Sequence, residues 1–137
     1  MNKQAKQSVV EFNSLVNTPV KPTIKSEQDI LKLIYQNGGG NKAAIVLHED
    51  AGHSWLQVPH ELINQLGIKE YISNYSYRDA KYAYLEEDCD LGKFLLTLGI
   101  GWTKNEPYTT KELRDAFFDM VPRKYEDHSP IRRKQQF

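Results

Sequence analysis

The sequence has one cysteine, no net charge and no long apolar run, and each of these features excludes a class of protein. With Cys89 as the single cysteine, an internal disulfide framework is excluded and a reducing cytoplasm is indicated. The 18 basic and 18 acidic side chains balance, whereas a nucleic-acid coat or a polyanion mimic needs charge of one sign. No stretch approaches the roughly 18 apolar residues of a membrane span, and the first residues lack the apolar run of a secretory signal. We therefore expect a cytoplasmic protein that is not associated with a membrane.

The chain length and the distribution of apolar residues predict one domain with an extension at each end. A compact domain commonly has about 100 to 200 residues, so the 137 residues suffice for one. Residues 1–25 are predicted to form an N-terminal helix and linker, because an apolar stripe from Val9 to Val16 precedes two prolines. Residues 26–122 are predicted to form the domain itself. Residues 123–137 are mostly polar without a period and are predicted to be a basic C-terminal arm.

The domain is predicted to be α+β, with an antiparallel sheet of about four strands and helices on one face. Short apolar runs predict strands, and apolar residues at helical spacing before a glycine predict helices. Two strand–strand–helix units follow one another in this way. In chain order the predicted elements are strands at residues 43–47 and 53–58, a helix at 59–67, strands at 71–77 and 82–87, and a helix at 91–98.

Four tyrosines are predicted to share one face of the sheet. A two-residue turn at Asp79-Ala80 and a four-residue loop would both place Tyr77 opposite Tyr82 and Tyr75 opposite Tyr84. The four rings would then lie on the same side, because side chains alternate along a strand. Such rings stack on the bases of single-stranded nucleic acid, anchor protein interfaces, or form core beneath helices. The opposite face carries small and polar residues as well as leucine. If helices cover one face, we therefore expect them to cover the tyrosines.

Basic residues near the C-terminus form the second group of candidate binding residues. Arg123, Lys124, Arg132 and Arg133 belong to clusters of a kind that binds phosphates or acidic protein surfaces. The segment before residue 111 is acidic apart from its basic N-terminal end, so charge is polarised along the chain. Acidic neighbours dilute the cationic cluster, and solvation as an arm is the alternative.

The sequence predicts neither a catalytic residue nor a metal or cofactor site. His48 and His53 are five residues apart around a turn, whereas a zinc protease motif places two histidines four apart on a helix. A small metal-dependent enzyme built on these histidines, with Asp50 as a further ligand, stays as an alternative. The carboxylates of residues 86–90 are predicted to favour a helix N-terminus rather than to bind a cation. They also disfavour a thiolate at Cys89.

Several short motifs resemble a small domain that occurs in phage and plasmid genes. The residues are Gly52-His53-x-Trp55-Leu56-x-Val58-Pro59, Tyr75-x-Tyr77, Tyr84-Leu85-Glu86-Glu87-Asp88-Cys89-Asp90 and Ser129-Pro130-Ile131-Arg132. The resemblance carries no catalytic residues, and it implies a protein of a mobile element. Small proteins of that origin often bind and block a host or defence protein, as anti-CRISPR and anti-restriction inhibitors do.

From these observations the leading hypothesis is a non-enzymatic binding protein that inhibits a host defence or nucleic-acid-processing protein. A nucleic-acid-binding protein that uses the tyrosines and the basic arm is the first alternative. The metal-dependent enzyme is the second.

Overall fold

The computed structural model describes residues 24–36, 42–100 and 108–137, and this part of the chain has an α+β fold. The helix predicted within residues 1–25 lies outside the described residues. The helices are α1 (Glu27–Tyr35), α2 (His60–Leu66), α3 (Leu91–Thr97) and α4 (Tyr108–Met120). The strands are β1 (Val46–Glu49), β2 (Ser54–Pro59), β3 (Tyr77–Arg78), β4 (Tyr82–Glu86), β5 (Arg123–Tyr125) and β6 (Gln135–Gln136). Short 3₁₀ helices span Lys69–Tyr71 and Pro130–Arg133.

The strands form one mixed sheet in the order β5-β1-β2-β4-β3-β6. Leu47 of β1 pairs with Leu56 of β2, which pairs with Leu85 of β4, and these neighbours are antiparallel. Only β5, beside β1, is parallel to its neighbour among the described strands. The α+β class is thus confirmed, whereas the sheet has six strands in the described part of the chain rather than about four, and it is not purely antiparallel.

The additional strands come from residues 123–137, so the structure corrects the prediction of a C-terminal arm. β5 and β6 form the two outer edges of the sheet. Between them Ile131 is buried, with 1% of its surface exposed. An edge strand can be held by backbone hydrogen bonds and needs little apolar patterning. The Leu47 N–H donates to the Pro122 carbonyl before β5, and the Phe137 N–H donates to the Ser76 carbonyl after β6.

The helices cover the aliphatic face of the sheet and leave the tyrosines on the other face. Leu56 and Leu85 project toward the helices and are fully buried in one cluster with Phe94 and Phe117. The expectation that helices would cover the tyrosines is therefore wrong. Side chains without polar atoms can be buried without a hydrogen-bond partner, whereas each tyrosine hydroxyl needs one. The aliphatic residues of β2 and β4 thus take the helix-covered side.

The predicted strand at residues 71–77 is also corrected, because only its last residue belongs to a strand. The buried carboxylate of Asp90 accepts hydrogen bonds from the backbone N–H of Ser73 at 3.0 Å and from the hydroxyls of Ser73 and Ser76. Lys93 Nζ donates to the Tyr71 carbonyl at 2.7 Å. These side chains satisfy backbone groups that a strand would use in its ladder. Residues 72–76 therefore form a loop.

The turn between β3 and β4 lies one residue later than the predicted two-residue turn at Asp79-Ala80. The Asp79 N–H donates to the Tyr82 carbonyl at 3.0 Å, and Asp79 Oδ1 accepts from the N–H groups of Lys81 and Tyr82. Ala80 and Lys81 are therefore the two turn residues. As a result Tyr77 pairs with Tyr84 instead of Tyr82. A shift of two residues in the register keeps the rings on the same face, since the side-chain period is two.

Candidate functional site

The side of the sheet away from the helices carries a group of rings that we call the aromatic face: His48, Trp55, Tyr77, Tyr82 and Tyr84. Strand pairing sets this arrangement, because His48 lies opposite Trp55 and Tyr77 lies opposite Tyr84. The rings meet edge to face. Centroids are 6.3 Å apart for Trp55 and Tyr77, and 5.6 Å apart for His48 and Tyr84. Such contacts favour the rings beyond the area that they bury.

The chain end lies over the middle of the aromatic face, and we call residues 129–137 the C-terminal cover. Ile131 packs with Trp55 and Tyr84 in a small apolar cluster. The Arg132 guanidinium lies 5.2 Å from the Trp55 ring centroid, and Lys134 Nζ lies 5.1 Å from that of Tyr84. Trp55 and Tyr84 are consequently 2% and 4% exposed. Tyr84, a predicted binding residue, is thus buried beneath the chain's own C-terminal segment.

Two ion pairs fasten the C-terminal cover. Arg132 Nε lies 2.8 Å from Asp50 Oδ2, and Lys134 Nζ lies 3.1 Å from Asp79 Oδ2. The hydrogen bond from Arg132 holds the pKa of Asp50 well below its usual range. Burial alone would raise the pKa of Asp79, but hydrogen bonds from Tyr84, from the Tyr82 N–H and from Lys134 lower it to about 2. Both carboxylates are therefore charged at neutral pH, and both attract a cation of the cover.

Beside the C-terminal cover an open cleft of about 350 Å³ cuts into the aromatic face. Trp55 and Tyr77 are two of its walls, and Tyr75 at its rim is 51% exposed. The cleft brings together segments that are distant in sequence. Its lining residues are His53, Trp55, Tyr75, Tyr77, Glu86, Asp88, Cys89, Arg132 and Gln136.

The charge of the cleft is acidic once the internal ion pair is set aside. Arg132 is neutralised by Asp50, which leaves Glu86 and Asp88 as the acidic residues of the lining. Glu86 lies directly opposite Trp55 in the strand register and is half-buried. Burial raises the pKa of Glu86, and no cation of the described residues forms a recorded ion pair with it. A cation arriving in the cleft would stabilise this carboxylate.

The indole of Trp55 is the one buried side-chain polar group of the described residues without a hydrogen-bond partner. Its Nε1–H is a donor only, and a buried donor left unpaired costs about 1–3 kcal/mol. Trp55 also lines the cleft. Glu86, which lies opposite Trp55 in the strand register, accepts hydrogen bonds from the Asp88 N–H at 2.9 Å and from the Cys89 thiol.

Cys89 does not provide a nucleophile to the cleft. Burial, together with the Glu86 carboxylate, raises the pKa of the Cys89 thiol to about 11. The thiol is therefore protonated at neutral pH, in agreement with the expectation from its acidic neighbours.

The other predicted basic residues have separate locations. Arg123 is paired with Glu49 at 2.9 Å, and Lys124 is paired with Glu126 at 3.3 Å. Both belong to β5 at the edge of the sheet, away from the cleft. Arg133 is exposed.

The structure separates these basic residues from the predicted tyrosines. Tyr75, Tyr77 and Arg132 are brought together in the cleft, and Tyr82 lies half-buried beside Tyr84. Three of the four predicted cations already have an acidic partner.

The histidines of the alternative metal site do not converge on a common point. His48 Nε2 lies 2.9 Å from Gln57 Oε1, His53 packs edge to face on Trp55, and Asp50 is occupied by Arg132. Within the described ranges, the one group of three potential metal ligands close enough to share an ion is Glu86, Glu87 and Asp88. The Glu87 carboxylate accepts a hydrogen bond from the Ser54 hydroxyl at 2.6 Å. The structure thus gives no geometric support to the metal-dependent alternative at the histidines.

The sequence predicted a helix-capping role for the Glu86 carboxylate and no binding role for Trp55, so the cleft that both residues line was not predicted. The sequence does indicate which face of its strand each residue occupies, because strands β2 and β4 both carry alternating patterns. Once these strands pair, Trp55 lies opposite Glu86. No pattern in the sequence predicts the contact between Arg132 and Asp50, which are 82 residues apart. Their contact depends on where the C-terminal segment crosses the sheet.

Comparisons with protein-family models, with curated proteins and with solved structures found no match to this chain. Among the described residues, no helix has the length and apolar character needed to cross a membrane.

Proposed function

We propose that this protein works by binding another protein through the cleft on its aromatic face, and that it inhibits a host or defence protein in this way. The observation that carries the proposal is the exposed Tyr75 at the rim of a preformed cleft whose walls are Trp55 and Tyr77. Tyrosine and tryptophan anchor protein interfaces because they bury a large area at low entropic cost. The inhibitory role additionally rests on the resemblance to domains of mobile elements.

The ion pairs favour a protein partner over nucleic acid. Affinity for nucleic acid comes largely from cations that neutralise phosphates. Here Arg132 and Lys134, the two cations of the C-terminal cover that lie over the aromatic face, are bound to Asp50 and Asp79. The cleft beside them carries carboxylates of its own, which repel phosphate. A surface with rings and charges of both signs suits the mixed chemistry of a protein interface.

The experiment compares capture of partners by wild type and by two tyrosine variants. Purified protein is immobilised and exposed to purified nuclease effector complexes and to a bacterial lysate, and bound proteins are quantified. Tyr75→Ala is expected to reduce capture of a specific partner at least about tenfold, the range of a single interface anchor. Tyr35→Ala is the matched control, because Tyr35 is 45% exposed on α1 and lies outside the cleft.

Inhibition is measured on the captured partner's own activity. Wild type and Tyr35→Ala should inhibit it, whereas Tyr75→Ala should require a proportionally higher concentration. Equal capture by both tyrosine variants would contradict the proposed function. Tight binding of a single-stranded oligonucleotide, weakening steeply with salt, would instead favour the nucleic-acid alternative.

A further inference from the structure

The cleft combines aromatic rings with an acidic group at one point. Trp55 and Tyr77 meet edge to face at an interplanar angle of 75°, and the Glu86 carboxylate belongs to the residue opposite Trp55. Aromatic faces attract cations through their quadrupole, and a neighbouring carboxylate adds Coulombic attraction. This pairing of rings with a carboxylate is the chemistry that recognises an ammonium or a guanidinium group.

The protein already shows this chemistry on its own aromatic face. Three of its cations lie over rings of the face: Arg132 over Trp55, Lys134 over Tyr84, and Lys81 5.3 Å from the Tyr82 ring centroid. For the first two of these, a carboxylate completes the arrangement. The cleft also contains a ring and a carboxylate, at Tyr77 and Glu86. Among the described residues no cation lies over the Tyr77 ring and none forms an ion pair with Glu86, since Arg132 of the same lining is paired with Asp50.

We infer that the cleft accepts a basic side chain, arginine or lysine, from the partner protein, with Glu86 as its counter-ion and with Tyr75 and Tyr77 as its accessible aromatic walls. The inference rests on the proposed function and specifies the partner as one that presents a basic segment. Acidic residues in the cleft exclude an anionic segment.

The inference is tested with a single small probe rather than with an unknown partner. N-acetyl-arginine amide is titrated into ¹⁵N-labelled protein, and N-acetyl-citrulline amide serves as the neutral isostere. The indole N–H signal of Trp55 is followed, and Trp102→Phe assigns it, since the chain has 2 tryptophans. The arginine probe is expected to shift this signal saturably and to bind about tenfold more tightly than the citrulline probe.

Glu86→Gln removes the counter-ion while keeping the shape of the side chain. It should weaken arginine binding about tenfold and leave citrulline binding unchanged. Glu70→Gln is the control, because Glu70 is exposed and does not line the cleft. Thermal unfolding of each variant verifies that it is folded. Equal affinity for the two probes, or arginine binding that Glu86→Gln leaves intact, would overturn the inference.

The two proposals fail in different ways. If partner capture depends on Tyr75 but Glu86→Gln captures as well as wild type, the protein-binding function stands and the basic side chain is wrong. If the arginine probe binds as expected while capture is the same for Tyr75→Ala and Tyr35→Ala, the cation site stands and the proposed function is wrong.

Discussion

At the scale of single residues, Asp79 joins the turn of the β3–β4 hairpin to the C-terminal cover. Its Oδ2 atom accepts the Tyr84 hydroxyl at 2.5 Å and Lys134 Nζ at 3.1 Å, while Oδ1 accepts the N–H groups of the turn. The same contacts bury the Tyr84 hydroxyl, and burial together with Asp79 raises the pKa of Tyr84. One carboxylate therefore fixes the strand register and holds the chain end.

Asp79 should make stability depend on pH in the acid range. Its pKa is lowered from the ordinary 3.8 to about 2 in the folded protein, so the charged form stabilises the fold. This contribution is fully present above about pH 4 and is lost as the pH falls toward about 2. Compared with Asp79→Asn, wild type should be more stable at pH 7 by on the order of 1 kcal/mol.

The measurement is the unfolding free energy of both proteins from denaturant titrations between pH 7 and pH 2. The difference should be constant down to about pH 4 and then shrink. Asp50 has a lowered pKa as well, but it is present in both proteins and cancels in the difference. A difference that stays constant to pH 2 would show that Asp79 is not the titrating group.

At the scale of elements, the predictable parts are those in which a short segment determines its own structure. Strands β1, β2 and β4 and helices α2 and α3 follow from local apolar patterns and from glycines at helix ends, and they were predicted within a few residues. The loop at 72–76 could not be predicted, because its structure depends on Asp90, which lies 17 residues beyond Ser73.

The edge strands β5 and β6 could not be predicted from their own sequence either. β5 is exposed at all three of its positions and β6 at both, so burial imposes no alternation on their side chains. The candidate site could likewise be predicted only in part, because local patterns do not show where distant segments meet. Its tyrosines were placed on one face by alternation, whereas the cleft requires Arg132 and Gln136, which reach it only through the path of the chain end.

A glycine at the end of α2 illustrates how a helix boundary is set by backbone conformation alone. Gly67 has φ +70°, in the left-handed region, and a Cβ there would meet nothing within 4 Å. Gly67→Ala should therefore destabilise the protein by about 1 kcal/mol through backbone strain, with no steric clash. Gly52→Ala is the matched control, because its added Cβ would make an ordinary contact of 3.8 Å with Arg132 Nη2.

The two variants are compared by thermal and denaturant unfolding. Gly52→Ala should lie within about 0.5 kcal/mol of wild type. A Gly67→Ala protein as stable as the Gly52→Ala protein would mean that the end of α2 tolerates a side chain, and the argument from φ would be wrong.

At the scale of the whole molecule, one segment, residues 123–137, provides both edge strands of the sheet. Residues 123–125 pair with β1, the chain then crosses the aromatic face, and residues 135–136 pair with β3 on the far side. Exposed strand edges invite pairing with other chains, and short polar strands reduce that risk. The same crossing buries Trp55 and leaves the cleft open beside it. The shape of the candidate site thus depends on the position of the C-terminal cover.

Ile131 is the apolar anchor of this crossing, so its truncation should affect both stability and the site. It is 1% exposed against Trp55 and Tyr84, and Ile131→Ala should cost about 2–4 kcal/mol because a buried side chain is replaced by a cavity. Leu31→Ala on α1 is the control, since Leu31 is 37% exposed and its truncation should cost less than about 1 kcal/mol.

Denaturant unfolding measures the free energies of unfolding of both variants, and amide hydrogen exchange shows which part of the protein is destabilised. Faster exchange of the β6 amides and of the Phe137 amide is expected for Ile131→Ala alone, because the Phe137 N–H donates to the Ser76 carbonyl at this edge. If exchange there matched the Leu31→Ala protein, the chain end would be held by its ion pairs and strand contacts instead of by Ile131.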